Sequence, residues 1–252
     1  MRPVALALTV AVLVAGGVLA GCGDDPAPTT RSACPGQAAG VSRIALNGGA
    51  TEYDVRVFGP SAAERAAGSL PVVLNWHGVG SDGDEQALLT GYEGVAEEQG
   101  FVVVHPTGPP ALADLAVDRP RTTWELTDDG DPARDDVAFA AALIDELTAS
   151  WCADPGRVFS TGLSNGGYFT ARLVCELADR LAGASSVAGL WWPDDCEPAR
   201  PVPYVAYHGT DDQVVPYDGD GESVLYADLP LSLIHISEPT RLLRRSRMPS
   251  SA

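Results

Sequence analysis

The sequence predicts an α/β fold: a mostly parallel sheet with helices on both faces. Two observations carry this. From about residue 41, short β-rich runs alternate with longer segments of helical spacing, the order that βαβ units produce. Two of the runs, "PVVLNWHG" (71–78) and "FVVVHPTG" (101–108), are nearly continuous apolar stretches ending in turn residues, as strands buried on both faces are. No internal repeat is visible.

The elements follow in order. "TEYDVRVFGP" alternates polar and apolar side chains, as a half-buried strand does. Between the two buried runs, "SDGDEQALLTGYEGVAEEQG" has a capping-type start, helical spacing and a terminal Gly, and is read as helix. "PARDDVAFAAALIDELTAS" (132–150) predicts a second helix, with Pro and acids in its first turn and apolar residues at helical spacing. "GRVFSTG" (156–162) reads as a strand and "NGGYFTARLVCELADR" (165–180) as a helix, and "LAGASSVAGL" and "PVPYVAYHG" are two more strands. The domain spans residues 41–230.

A chain of 252 residues is long enough for one such domain with a sizeable core. Every one of its 16 basic residues is Arg, and the formal net charge is −18. The final 22 residues hold four Arg and one Glu, leaving residues 1–230 with 12 Arg against 33 acids. A surface that acidic argues against nucleic acid as a partner and reads as solubility through self-repulsion.

The N-terminus "MRPVALALTVAVLVAGGVLAGC" has one Arg, a short apolar run and then small residues, the layout of a secretory signal over residues 1–21. Leu19-Ala20-Gly21-Cys22 resembles the bacterial lipobox, which implies a lipid on the Cys22 thiol and cleavage just before it. That anchor attaches the chain to a membrane without spanning it. The chain is then expected on the outer face of a bacterial cytoplasmic membrane, or secreted. Residues 22–40 read as a disordered polar tether. Export permits disulfides. Cys34, Cys152, Cys175 and Cys196 allow three pairings. Closeness in sequence suggests Cys175 with Cys196, leaving Cys34 with Cys152.

The chemistry sits in "GRVFSTGLSNGGY" (156–168), where a strand runs into Gly162-Leu163-Ser164-Asn165-Gly166 and a helix follows at once. This is G-x-S-x-G in its required strand–turn–helix setting. Gly162 and Gly166 stand where the turn is too sharp for side chains. The turn lifts the Ser164 hydroxyl above the sheet edge, making it the candidate nucleophile, and the Asn165 N–H faces any oxyanion formed there. A second donor is expected from "NWHGVGSDG" (75–83), the His-Gly turn after an earlier strand. In α/β-hydrolases that loop supplies a backbone N–H. Val79 is the candidate, with His77 and Gly78 shaping the loop. "YVAYHGTDDQVVPY" (204–217) is a strand followed by an acidic turn, where a triad acid belongs. From the residues alone, Asp211 or Asp212 can serve.

Taken in chain order, "WHGxGS", "RDDVAF", "DPxRVF", "GLSNGG" and "HGxxDxxVPY" resemble the secreted polyhydroxybutyrate depolymerase and feruloyl esterase group of α/β-hydrolases, over about residues 41–217. The resemblance implies ester hydrolysis by Ser-His-Asp chemistry through an acyl-enzyme, with Ser164 attacking and Asp212 holding the base in the right tautomer. It implies no metal and no cofactor. The expected partner is an ester substrate: a hydroxyalkanoate oligomer, or a feruloyl or acetyl ester of polysaccharide. Asp135 and Asp136 read as cap and loop-ordering residues, and His105 and His208 as structural. Trp191 and Trp192, in "AGLWWPDDC", can line an acyl pocket or simply pack.

The base is the difficulty. The family places a His after the acid, on a Gly-rich loop beyond one more helix and strand. Here only His235 follows Asp212, in "SLIHISEPT" with no such loop around it. Residues 231–252 resemble instead a translated sequencing-library adapter. "LSLIHISEPTR" and "SRMPSSA" can be encoded by two parts of one transposon-type adapter, in order. The expectation is therefore that the fold is truncated at its C-terminus and that this chain, lacking its base, is inactive and unstable. The competing reading is a cell-surface lipoprotein that keeps the fold and binds a ligand or partner without catalysis.

Overall fold

In the computed structural model of the chain, the described residues are 39–61, 69–110, 121–127, 131–193 and 195–217. All fall within the unit Ala33–Ala252. The signal, the tether up to residue 38 and the tail, with Cys22, Cys34 and His235, lie outside them, whereas Gly40, expected in the tether, begins the first strand by pairing with Gly59.

Seven strands of the described residues form one sheet: β1 (Gly40–Gly48), β2 (Thr51–Gly59), β3 (Leu70–Trp76), β4 (Val102–Thr107), β5 (Ala153–Leu163), β6 (Gly183–Val187) and β7 (Tyr204–Tyr207). Their order is β1-β2-β4-β3-β5-β6-β7. β1 and β2 form an antiparallel hairpin, β2 runs antiparallel to β4, and every pairing from β4 through β7 is parallel. The alternation read in "TEYDVRVFGP" has its physical basis in Tyr53, Val55 and Val57, which point into the core. β1 has no counterpart among the expected elements. As the outermost strand it buries its inward side chains only partly. It also carries apolar residues on both faces, which blurs the period-two signal.

Among the described residues four helices cover the sheet: α1 (Gly83–Thr90), α2 (Tyr92–Gln99), α3 (Asp136–Ser150) and α4 (Asn165–Glu176). α1 and α2 pack over β2–β4, whereas α3 and α4 pack over β1, β3, β5 and β6. The segment read as a single helix is two. Gly91, at φ +62°, ends α1 and starts α2, a left-handed conformation open to Gly at little cost. α3 starts later than residue 132, because the Asp135 carboxylate accepts from the Ala138 N–H at 2.7 Å and caps it. Pro132 therefore lies before the helix. The run to residue 180 is α4 followed by a 3₁₀ turn, Ala178–Arg180.

Between α3, α4 and the sheet lies an aromatic core. Phe139 stacks on Tyr53 with centroids 3.9 Å apart, Trp124 stacks on Phe169 at 5.3 Å, and Trp76 meets Trp124 edge-on at 4.9 Å. On the opposite face of β5–β7, Phe159, Val187, Val205 and Tyr207 remain 38–48% exposed.

Candidate active site

Ser164 ends β5 and caps α4, with φ +53° and ψ −117°. A side chain there costs on the order of 1–3 kcal/mol and persists only when the surroundings impose it. They do. The Ser164 N–H donates to the Val187 carbonyl at 2.9 Å, and the Ser164 carbonyl accepts from Gly167 and Tyr168. Close backbone approach explains two neighbouring glycines. A Cβ on Gly166 would lie 2.2 Å from the Trp76 carbonyl oxygen, and one on Gly189 would lie 2.2 Å from that of Ser164. Gly162 is packed as tightly, against the Gly166 carbonyl. The strain is carried by Ser164 itself; the glycines give room for the crossing chains.

The loop after β3 lies beside this turn. A Cβ on Gly78 would be 3.5 Å from the Ser164 Cβ. Neither the Val79 N–H nor the Asn165 N–H donates to a described residue. Val79 follows Gly78 in this loop, and Asn165 follows the serine within the unsatisfied first turn of α4. His77 is fully buried. The Gly108 N–H donates to its Nε2 at 2.9 Å, so its proton resides on Nδ1 and points at the Gly78 carbonyl, 2.7 Å away. Burial lowers its pKa. With both nitrogens engaged, His77 ties the β3 and β4 loops together.

Segment 121–127 bonds both to Asn165 and to the loop after β3. The Asn165 carboxamide accepts from the Trp124 N–H at 2.6 Å and donates to the Trp124 carbonyl at 3.0 Å. The Trp124 indole donates to the His77 carbonyl at 3.1 Å. Next to it, the buried Asp136 carboxylate accepts from Arg134, from the Glu125 N–H and from the Tyr53 hydroxyl. Burial, with the Asp136 charge beside it, raises the Tyr53 pKa well above its ordinary value and keeps the phenol a neutral donor. Sequence reasoning found Asp135 and Asp136 through "RDDVAF" but missed Trp124, for which "TTWEL" carries no signal.

Asp212 stands in the turn after β7. Its Oδ1 accepts from the Val214 and Val215 N–H groups, each at 2.9 Å. Its Oδ2 lies 3.5 Å from His208 Nε2, which donates to the Val215 carbonyl at 2.7 Å. Asp211 is exposed. His208 thus orders the acidic turn. His105, on β4, accepts from the Asn75 carboxamide at 3.2 Å, and burial lowers its pKa to about 4. None of the three described histidines bonds to Ser164. Ser164, Asp212 and the His77–Val79 loop all follow the carboxyl ends of parallel strands, where α/β sheets place their sites. β5 and β7 are two strands apart, about 10 Å.

Trp191 belongs to the core, and Trp192 meets Tyr204 edge-on at 5.2 Å, so both pack. A disulfide joins Cys175 to Cys196, and Cys152 is also disulfide-bonded. Among the described residues no three His, Cys, Asp or Glu come together as metal ligands would, and no helix is long and apolar enough to cross a membrane.

No family model matches the chain. Over 164 residues it is 29% identical to the bifunctional acetylxylan esterase/xylanase XynS20E of Neocallimastix patriciarum, covering 65% of this chain and 22% of that protein. Over 90 residues it is 39% identical to feruloyl esterase B of Piromyces equi, covering 34% of this chain and 17% of that one. The chain therefore spans about a fifth of the length of these curated relatives. An S-formylglutathione hydrolase from Agrobacterium tumefaciens superposes with a TM-score of 0.53 at 17% identity, over 69% of this chain and 76% of that one. The fold is that of the α/β-hydrolases.

Proposed function

We propose that the chain is a serine hydrolase of carboxylic esters working through an acyl-enzyme. The observation that carries this is Ser164, held at φ +53° between a strand and a helix, with the Asn165 N–H next to it bonded to no described residue and the Gly78 loop alongside. Ser164 Oγ attacks the ester carbonyl. The developing oxyanion is received by the Val79 and Asn165 N–H groups. A base takes the serine proton and delivers it to the leaving alcohol, and water then releases the acid by the same path in reverse. Asp212, with Oδ1 held by two N–H groups, orients that base.

His77 and His208 are committed to backbone partners and His105 is buried on β4 against Asn75, so the base is assigned to residues beyond 217. The adapter-like reading of residues 231–252 makes His235 a poor candidate, and little or no turnover is expected of the 252-residue product. The substrate class we favour is a feruloyl or acetyl ester of polysaccharide, supported by the names of the relatives, with hydroxyalkanoate oligomers as the other member of the class. Lipid attachment at Cys22 would hold the enzyme at the outer face of the cytoplasmic membrane.

The absence of a histidine on Ser164 among the described residues favours a second reading, a lipid-anchored binding protein of the same fold. Turnover of 4-nitrophenyl acetate and methyl ferulate decides between them. It is to be measured on the 252-residue product and on the gene product carrying its own sequence downstream of residue 230. Ser164→Ala is expected to abolish turnover with the fold intact. Turnover retained in that variant would overturn the nucleophile assignment, and turnover by the 252-residue product that is lost on His235→Ala would overturn the reading of the tail.

A further inference from the structure

The two oxyanion donors belong to different elements. Val79 is on the loop after β3, and Asn165 is the first residue of α4. Backbone hydrogen bonding within the sheet fixes β3 against β5, since Trp76 pairs with Gly162, but the donors lie beyond the last paired residues. Their separation must be set by something that touches both loops. Trp124 does so. Its backbone N–H and carbonyl are both taken by the Asn165 carboxamide, at 2.6 and 3.0 Å. Its indole N–H donates to the carbonyl of His77, two residues before Val79, at 3.1 Å.

Trp124 is itself held still. It is 2% exposed, and its ring stacks on Phe169 and lies edge-on to Trp76. Its neighbours are pinned in turn. The Thr122 carbonyl accepts from the Gly80 N–H at 2.8 Å and the Thr123 N–H donates to the Pro109 carbonyl at 3.1 Å. The Glu125 N–H donates to Asp136 at 2.7 Å. The indole bond also complements His77, whose imidazole fixes the Gly78 carbonyl in the same loop. Donors aimed at a developing charge act only if they are already in place when it forms, and a displacement of about 1 Å can cost on the order of 10²-fold.

We propose that Trp124 is a positioning residue that sets the spacing of the Val79 and Asn165 N–H groups. The inference rests on the serine esterase reading above. Its role goes through the two donors and involves no contact of its own with the substrate.

The test uses whichever form of the chain turns over 4-nitrophenyl acetate. Trp124→Phe keeps a ring in the stack and deletes the indole N–H. Leu147→Ala removes a fully buried side chain near the end of α3, away from the Trp124 stack and from both donor loops. Loss of a whole oxyanion donor costs roughly 10²–10³ in kcat, and misplacement of one should cost about tenfold or more, within that bound. Trp124→Phe is expected to lower kcat by that factor with KM changed less than about twofold. It should also weaken inhibition by a trifluoromethyl ketone, which forms an oxyanion, by a similar factor. Leu147→Ala is expected to lower Tm with kcat nearly unchanged. Equal losses of kcat in the two variants, or an unchanged kcat in folded Trp124→Phe, would overturn the proposal. If Ser164→Ala also retains turnover, the esterase reading itself has failed; if it does not, only the role of Trp124 has.

Discussion

Asp136→Ala probes the buried charge network beneath the site. The Asp136 carboxylate accepts from Arg134 Nε at 2.7 Å, from Arg134 Nη2 at 2.5 Å, from the Glu125 N–H at 2.7 Å and from the Tyr53 hydroxyl. The Arg134 and Asp136 side chains are 3% and 0% exposed. Removing the carboxylate strands the guanidinium in the interior, which costs about 3–5 kcal/mol. The Tyr53 hydroxyl and the Glu125 N–H each lose an acceptor, at about 1–3 kcal/mol apiece where no water replaces it. The vacated space can admit water, so these contributions do not add fully, and a total near 5 kcal/mol is expected, comparable to the whole stability of a marginal domain. Urea unfolding followed by tryptophan fluorescence measures it. The double variant Arg134→Met/Asp136→Leu removes both charges and should recover at least about 2 kcal/mol of the loss. A cost below about 1 kcal/mol for Asp136→Ala, or a double variant no better than the single, would refute the reasoning.

Two further predictions concern pH and the covalent link. His105 has its pKa lowered by burial from 6.5 to about 4, so between those values the unfolded chain binds more protons than the folded one. Stability should therefore fall as pH drops through that window, by up to about 3 kcal/mol from this group. The difference in unfolding free energy between the wild type and His105→Phe should change by that amount between pH 7 and pH 4; a constant difference would count against it. Cys175 and Cys196 are 21 residues apart, for which loop-closure entropy corresponds to about 3 kcal/mol. Replacing both by Ser should lower the unfolding free energy by about that much, and a loss under about 0.5 kcal/mol would show that the unfolded chain is not constrained as supposed.

The period-two run of β2, the apolar runs of β3 and β4 and the G-x-S-x-G turn were all legible in the sequence. Each is a local pattern whose physical cause lies within about a dozen residues. The break at Gly91 was not legible, because a Gly amid helical spacing can either continue a helix or, as here, turn left-handed. β1 was missed because an outer strand buries too little to impose a clean alternation. The site shows the same division. Ser164 announced itself through its glycines, whereas the place after a strand left Asp211 and Asp212 both open and only the family resemblance pointed to Asp212. Which nitrogen of His77 carries the proton depends on the Gly108 N–H, 31 residues away in sequence.

By itself the sequence determined the layered α/β architecture, the strand–turn–helix that presents Ser164 and the acidic turn after β7. These follow from periodicity and from the short-range sterics of glycine. Only the tertiary structure decided that Ser164 takes a strained backbone, held by the Val187 carbonyl, which backbone partners His77 and His208 hold, and that Trp124 links Asn165 to the loop of Val79. Such roles rest on hydrogen bonds between residues distant in the chain, and no local pattern encodes which partner a buried donor will meet.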